Sequence, residues 1–431
     1  MPQVHHPQQR PRGPTNYLHA AAATGSFETA AAVLASGALD INQADPEGWT
    51  ALMIASRQGH SRIVRMFLDK GAEVLMTEDR GSTALHQSAI AGHPAVTKML
   101  VEAGAPLEVA TKQQLCTPLH DAAVNGCAAS TTVLLEAGAN LNSRRLDGAT
   151  PLFLAAWEGN VDAVRLLLLA KADPLLTQHV GTSERTSLPL DVAADRGHLE
   201  VVNELIRQVG IGGCGGSSGG VSALQQAARN KHLDVLTVLT NTGVVDTGSA
   251  LRAAAAFGGV APLKFLLEQA RARKTTGGPA YVNTRSGVGL TPLLVGIQQC
   301  CPRVVRLLVE AGADTTSTVS IDGLPGTDNI TPMGLTMLLY RNVGTGPLKE
   351  EQLNALEAIR RLLLRVDAVH AVSWLWSSDI STFTYSTAQG TDRTTSKSAA
   401  GTPLMLTIRQ RARSREREVP LAALWRYSSK P

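Results

Sequence analysis

The 431-residue chain predicts an all-α fold, a solenoid of stacked helix-turn-helix repeats joined by short β-hairpin-like fingers. Three observations carry this. One segment recurs, as TALMIASRQGH at Thr50, TALHQSAIAGH at Thr83, TPLHDAAVNGC at Thr117 and TPLFLAAWEGN at Thr150, in steps of 33, 34 and 33 residues. A second block follows each one a helix later, as IVRMFLDKGAE from Ile63, VTKMLVEAGAP from Val96, TTVLLEAGANL from Thr131 and AVRLLLLAKAD from Ala163. Both blocks carry apolar residues at helical spacing between start and stop signals.

The elements follow in order within one unit. Thr83, Thr117 or Thr150 stands where its hydroxyl caps a helix, and Pro118 and Pro151 occupy a first position whose missing N–H costs nothing. The small pairs Ala122-Ala123 and Ala155-Ala156 let a neighbouring helix approach closely. Gly59, Gly92, Gly126 or Gly159 then ends the helix in a turn. In the second helix Val161, Val164, Leu167 and Leu168 recur at helical spacing, and Gly71, Gly104 or Gly138 stops it. A single hairpin of this kind cannot bury its apolar face, so neighbours must stack.

A period of about 33 residues with a T-P-L-H-x-A core resembles the ankyrin repeat. Upstream, NYLHAAAATGS aligns Asn16 with Thr50; downstream, Leu188, Ser222, Ser249, Thr291 and Thr331 open further units at steps of 38, 34, 27, 42 and 40 residues. Ten repeats result, over roughly residues 15 to 375. The expected organisation is a disordered N-terminal segment 1–14, about six regular repeats over 15–209 and a Gly/Ser-rich connector at 210–220. About four divergent repeats ending in a long helix occupy 221–376, then come a Ser/Thr-rich loop at 377–401 and a basic capping segment or tail at 402–431.

Composition excludes several classes. A net charge of +4, with acids and bases interspersed, gives no strong field for nucleic acid or an anionic membrane. Five cysteines (Cys116, Cys127, Cys214, Cys300, Cys301) form neither C-x-x-C pairs nor an even disulfide framework, which points to a reducing compartment. The N-terminus lacks an apolar signal region, and no apolar run approaches the ~20 residues of a membrane span. The expected setting is cytoplasmic, with the nucleus as the alternative, and the expected state is a monomer.

Chemistry finds no constellation. Gly210, Gly212 and Gly215 fit G-x-G-x-x-G, and Gly215, Ser217 and Gly219 fit G-x-S-x-G. Both motifs need a preceding strand, whereas a helical pattern precedes them. His19, His86 and His120 hold the fourth position of T-P-L-H, where the resemblance implies hydrogen bonding between turns. No metal-ligand spacing appears, so neither a metal nor a cofactor is expected. Arg409, Arg411, Arg413, Arg415 and Arg417 read as an import or acidic-partner patch, or as part of a helix capping the stack.

Function is therefore expected at a surface. The resemblance implies a concave groove, with partner residues on finger tips and first-helix ends. These are Pro46, Glu47, Trp49, Arg57 and Gln58 in the second unit, and Asp79, Arg80, Ser82 and Ile90 in the third. The fourth offers Gln113, Gln114 and Asn125, and the fifth Leu146, Asp147, Trp157 and Glu158. Trp49 and Trp157 are aromatic anchor candidates, unless each packs on its own array. The expected protein is a non-catalytic scaffold binding one or more partner proteins. A substrate adaptor of a regulatory complex such as a ubiquitin ligase, and an enzyme using the Gly/Ser loop, are the alternatives.

Overall fold

A computed structural model of the chain describes residues 17–37, 39–179, 186–215, 220–272, 278–318, 330–342 and 349–366. Segment 1–14 and everything after 366, with the arginine-rich stretch, Trp374 and Trp376, lie outside the described residues. The chain divides into two compact units, 1–253 and 254–431.

Seven helix pairs build the first unit: α1 (Tyr17–Thr24) with α2 (Phe27–Ala35), α3 (Ala51–Gln58) with α4 (Ser61–Asp69), and α5 (Ala84–Ala91) with α6 (Pro94–Glu102). Then come α7 (Pro118–Val124) with α8 (Ala128–Glu136), and α9 (Pro151–Glu158) with α10 (Val161–Leu169). The last two pairs are α11 (Pro189–Arg196) with α12 (Leu199–Cys214), and α13 (Val221–Asn230) with α14 (Leu233–Asn241). First helices pack in one row from α1 to α13 and second helices in another from α2 to α14, so the main contacts of each pair are with its neighbours. Between the rows lie fully buried Leu52, Phe67, Leu85, Leu100, Phe153 and Leu167.

The caps form as the sequence requires. The Thr50 and Thr150 hydroxyls accept from Met53 N–H at 3.3 Å and Phe153 N–H at 3.2 Å. At the other end Gly59, Gly92, Gly159 and Gly197 take left-handed backbone. Two of these show why no side chain serves. A Cβ on Gly59 would meet the His93 ring at 2.6 Å, and one on Gly197 would meet the His232 ring at 2.4 Å.

Helix α15 (Ser249–Ala256) contains the division between units. In the second unit, α16 (Val260–Ala272) packs on α17 (Gly278–Val282) and on α19 (Pro302–Glu310). Helix α18 (Pro292–Gln298) packs on α19 and α20 (Pro332–Asn342), and α21 (Lys349–Val366) lies against α19 and α20. The second unit thus holds two helix pairs among its described residues, α18 with α19 and α20 with α21, beside α16 and α17.

One segment differs from expectation. The connector expected from residue 210 is partly helical: Gly210 breaks α12 with φ 75° and ψ 160°, and residues 211–214 then form another turn. That turn is retained because it buries Cys214, whose thiol donates to the Gly210 carbonyl at 3.1 Å. In the second unit, beyond α17, Ser286 N–H bonds Leu290 O at 3.0 Å in a regular finger.

Candidate protein-binding surface

Each finger is a five- or six-residue turn closed at its base. Asp45 N–H bonds Trp49 O, Glu78 N–H bonds Ser82 O, Thr111 N–H bonds Cys116 O, and Arg145 N–H bonds Ala149 O, all at 2.9 to 3.0 Å. Acidic side chains in three fingers point inward at loop amides that would otherwise lack partners. Asp45 Oδ1 accepts from Glu47 and Trp49 N–H, Glu78 from Arg80 and Ser82 N–H, and Asp147 Oδ1 from Ala149 N–H.

Adjacent fingers are bonded through their backbones. Asp79 N–H donates to Glu47 O at 3.0 Å, Lys112 N–H to Arg80 O at 2.8 Å, and Leu146 N–H to Gln114 O at 2.9 Å. Five of the sequence-predicted residues, Glu47, Asp79, Arg80, Gln114 and Leu146, are thereby brought together in pairs or onto neighbouring tips. Below them the buried Arg145 guanidinium donates to Gln114 Oε1 at 3.2 Å and Asp147 Oδ2 at 3.1 Å. Gln178 Nε2 reaches the same Asp147 oxygen at 2.8 Å, so a polar network ties three successive units.

Histidines join the first helices to the fingers. In repeats three and four, Nδ1 of His86 and His120 accepts from Thr83 and Thr117 N–H at 3.1 Å, which leaves the proton on Nε2. Nε2–H then donates to Cys116 O at 3.1 Å and Ala149 O at 3.2 Å in the following finger. His19 makes the same link to Trp49 O at 3.0 Å. Burial lowers the His86 and His120 pKa values to about 4, so both are neutral at physiological pH.

A further bond between repeats comes from the residue after each turn. His93 reaches Arg57 O, His198 reaches Trp157 O and His232 reaches Asp195 O, each at 3.1 Å. Asn160 takes this place in the fifth repeat, donating to Ala123 O and Val124 O. These histidines are consumed in holding carbonyls at helix ends.

The predicted partner residues divide by exposure. Pro46, Gln58, Asp79, Arg80, Gln113, Gln114, Asn125, Leu146 and Glu158 are exposed, while Glu47, Arg57, Ile90 and Asp147 are half-buried. Ser82 is buried against its own finger. The tryptophans depart from the anchor expectation. Trp49 is only 7% exposed, with the Arg57 guanidinium 5.5 Å from its ring centroid. Trp157 is half-buried, tilted against Phe153 at 6.3 Å and covered by Arg196 at 4.1 Å. Both rings pack within the array, where an arginine stacks on the remaining face. Sequence reasoning missed Lys112, Leu115, Arg145 and Arg196. Arg196 was detectable, since it falls one residue beyond the first-helix position that Arg57 holds in its own repeat.

Among the described residues no group of three or more metal-ligating side chains converges. Cys214 is fully buried and its thiol is pushed up to about 11 by that burial, contrary to what a nucleophile requires. Ser217 lies outside the described residues. No helix among them is long and apolar enough to cross a membrane.

Stacked helix pairs with bonded fingers define a class, the helical repeat proteins whose contacts run between neighbours. Within it, the family profile described as ankyrin repeats (3 copies) matches residues 4–78, 75–145, 117–178 and 152–247, together more than half of the chain. The chain belongs to the ankyrin-repeat family. It is also similar to the NAD-capped RNA hydrolase NUDT12 of Homo sapiens, Pongo abelii and Macaca fascicularis, 38% identical over 56 residues. That match spans 13% of this chain and about 12% of the length of each relative, less than two repeats.

Proposed function

We propose that the chain is a non-catalytic scaffold that binds a partner protein across the finger tips and first-helix ends of repeats two to five. The observation that supports this is the pairing of exposed side chains with a fixed backbone. Pro46, Asp79, Arg80, Gln113 and Leu146 stand in solvent on turns whose amides and carbonyls are bonded within and between fingers. Such a surface is preformed, so association costs little ordering entropy, and affinity is set by a few side chains.

Burial of Cys214, with its thiol pushed up to about 11, speaks against a nucleophile at the start of the Gly/Ser loop. Nothing among the described residues favours the adaptor reading, whose arginine segment lies beyond them. The hydrolase activity named for NUDT12 belongs to proteins of which this chain matches about an eighth.

The test places a photo-crosslinking residue at Gln113 or Asn125 and, for comparison, at the exposed second-helix positions Arg65 or Lys98. A common partner crosslinked from Gln113 and Asn125 but not from Arg65 or Lys98 is expected. Crosslinking only from the second helices would sink the assignment.

A further inference from the structure

Finger four breaks a rule that its neighbours keep. Two residues before the helix-capping threonine, the second, third and fifth units carry Gly48, Gly81 and Gly148, with φ of 83°, 86° and 80°. Each donates its N–H to the residue that closes the finger, Asp45, Glu78 or Arg145. In the fourth unit Leu115 holds this place, donates to Thr111 O at 3.0 Å and takes φ 57°. A leucine in left-handed backbone is strained, because its Cβ crowds the adjacent carbonyl.

The strain is not offset by burial, for Leu115 is 42% exposed. The next tip carries another exposed leucine, Leu146 at 69%, and its N–H bond to Gln114 O fixes the two tips side by side. Two large apolar side chains thus stand in solvent on adjacent fingers, one against backbone preference. Strain retained without packing benefit points to a role outside the folded chain itself.

Charge around the pair is mixed, with cations in slight excess. Asp147, the carboxylate of these two fingers, is engaged by Arg145 and Gln178, and Glu108 nearby accepts from Asn140 N–H. Lys112 and Arg144 are exposed on the same fingers, the latter also donating to Thr177 O at 3.4 Å. With Asp147 offset by Arg145, Lys112 and Arg144 stand against Glu108, which leaves a net positive balance beside the leucines.

We propose that Leu115 and Leu146 form a docking site for a partner segment that carries an apolar side chain flanked by carboxylates. The inference rests on the scaffold reading above and names its partner chemistry. The leucines supply the desolvated contact; Lys112 and Arg144 select acidic flanks and speed encounter.

The test uses the full chain and two fluorescein-labelled pools of twelve-residue peptides. Both pools have Leu, Ile or Phe at the centre; one has Asp and Glu on the flanks, the other Lys and Arg. Fluorescence polarisation is measured with wild type, Leu115→Gly and Leu146→Ser, alongside thermal melts. Leu115→Gly restores the residue found in the neighbouring fingers, so the melting temperature is expected to hold or rise while affinity for the acidic pool falls at least tenfold. Leu146→Ser, at a more exposed site, is expected to weaken binding similarly with an unchanged melt. Equal binding of both pools, no binding of the acidic pool, or unchanged affinity in both variants overturns the proposal. Crosslinking from Gln113 and Asn125 could still succeed in those cases, which would leave the scaffold reading standing.

Discussion

At the scale of single residues, the histidines of the T-P-L-H position show how one side chain fixes the relation between repeats. His86 and His120 accept a threonine N–H at Nδ1 and donate Nε2–H to the next finger, an arrangement that only the neutral ring can make. Their pKa values are lowered to about 4 from 6.5 by burial, so in acid the unfolded chain takes up protons that the folded chain refuses. Their stabilising effect is full above pH 6.5 and is lost as pH falls toward 4, at up to about 3 kcal/mol each. Asp121 beside His120 has the opposite sign. Burial raises its pKa to about 8, so it costs stability as pH rises from its ordinary value near 3.8 toward 8. Urea unfolding should therefore show His86→Gln losing less stability than wild type between pH 6.5 and 4, and Asp121→Asn gaining on wild type at pH 8. Parallel pH profiles for all three proteins would contradict these assignments.

At the scale of elements, the turn glycines separate backbone from packing. Gly71 and Gly197 both have positive φ, 81° and 76°. A Cβ on Gly71 meets nothing within 4 Å, whereas one on Gly197 would strike the His232 ring. Gly71→Ala should cost about 1 kcal/mol, the left-handed penalty alone. Gly197→Ala should cost roughly 1 to 3 kcal/mol more, since it also disturbs the His232 bond to Asp195 O. Urea midpoints measured side by side decide this, and equal losses would mean that the neighbouring histidine yields freely. The fingers were legible only in part. The steps of 33, 34 and 33 residues count one residue more before Thr117 than before Thr83 or Thr150. The structure locates that residue in the finger 111–116, where Thr111 replaces an acidic residue and Leu115 replaces glycine.

At the scale of the molecule, contacts in the first unit run between adjacent helix pairs, so damage should stay local. Phe67 is fully buried in α4, and Phe67→Ala should cost about 3 to 5 kcal/mol at that repeat. Hydrogen exchange should then rise in α1 to α6 and stay near wild type in α11 to α14. Uniform loss of protection across the unit would show a cooperative block instead of a chain of neighbours.

The sequence alone determined the repeat, the start and stop signals of its helices and its family, because those depend on local signals recurring at fixed spacing; the use of its histidines came from the family resemblance. Threonine caps, glycine stops and apolar periodicity act within one unit, so each copy states the same instruction again. Only the tertiary structure decided which side chains the stack covers. By position Trp49 and Trp157 could be partner anchors or packing residues of the array, and the choice depends on where Arg57 and Arg196 come to rest. Arg145 is buried where Gln114 and Asp147 meet it from two fingers. Leu115 shows neither its strain nor its exposure until the finger closes. Burial and strain are properties of neighbours in space, and one-dimensional spacing carries them only where every repeat is alike.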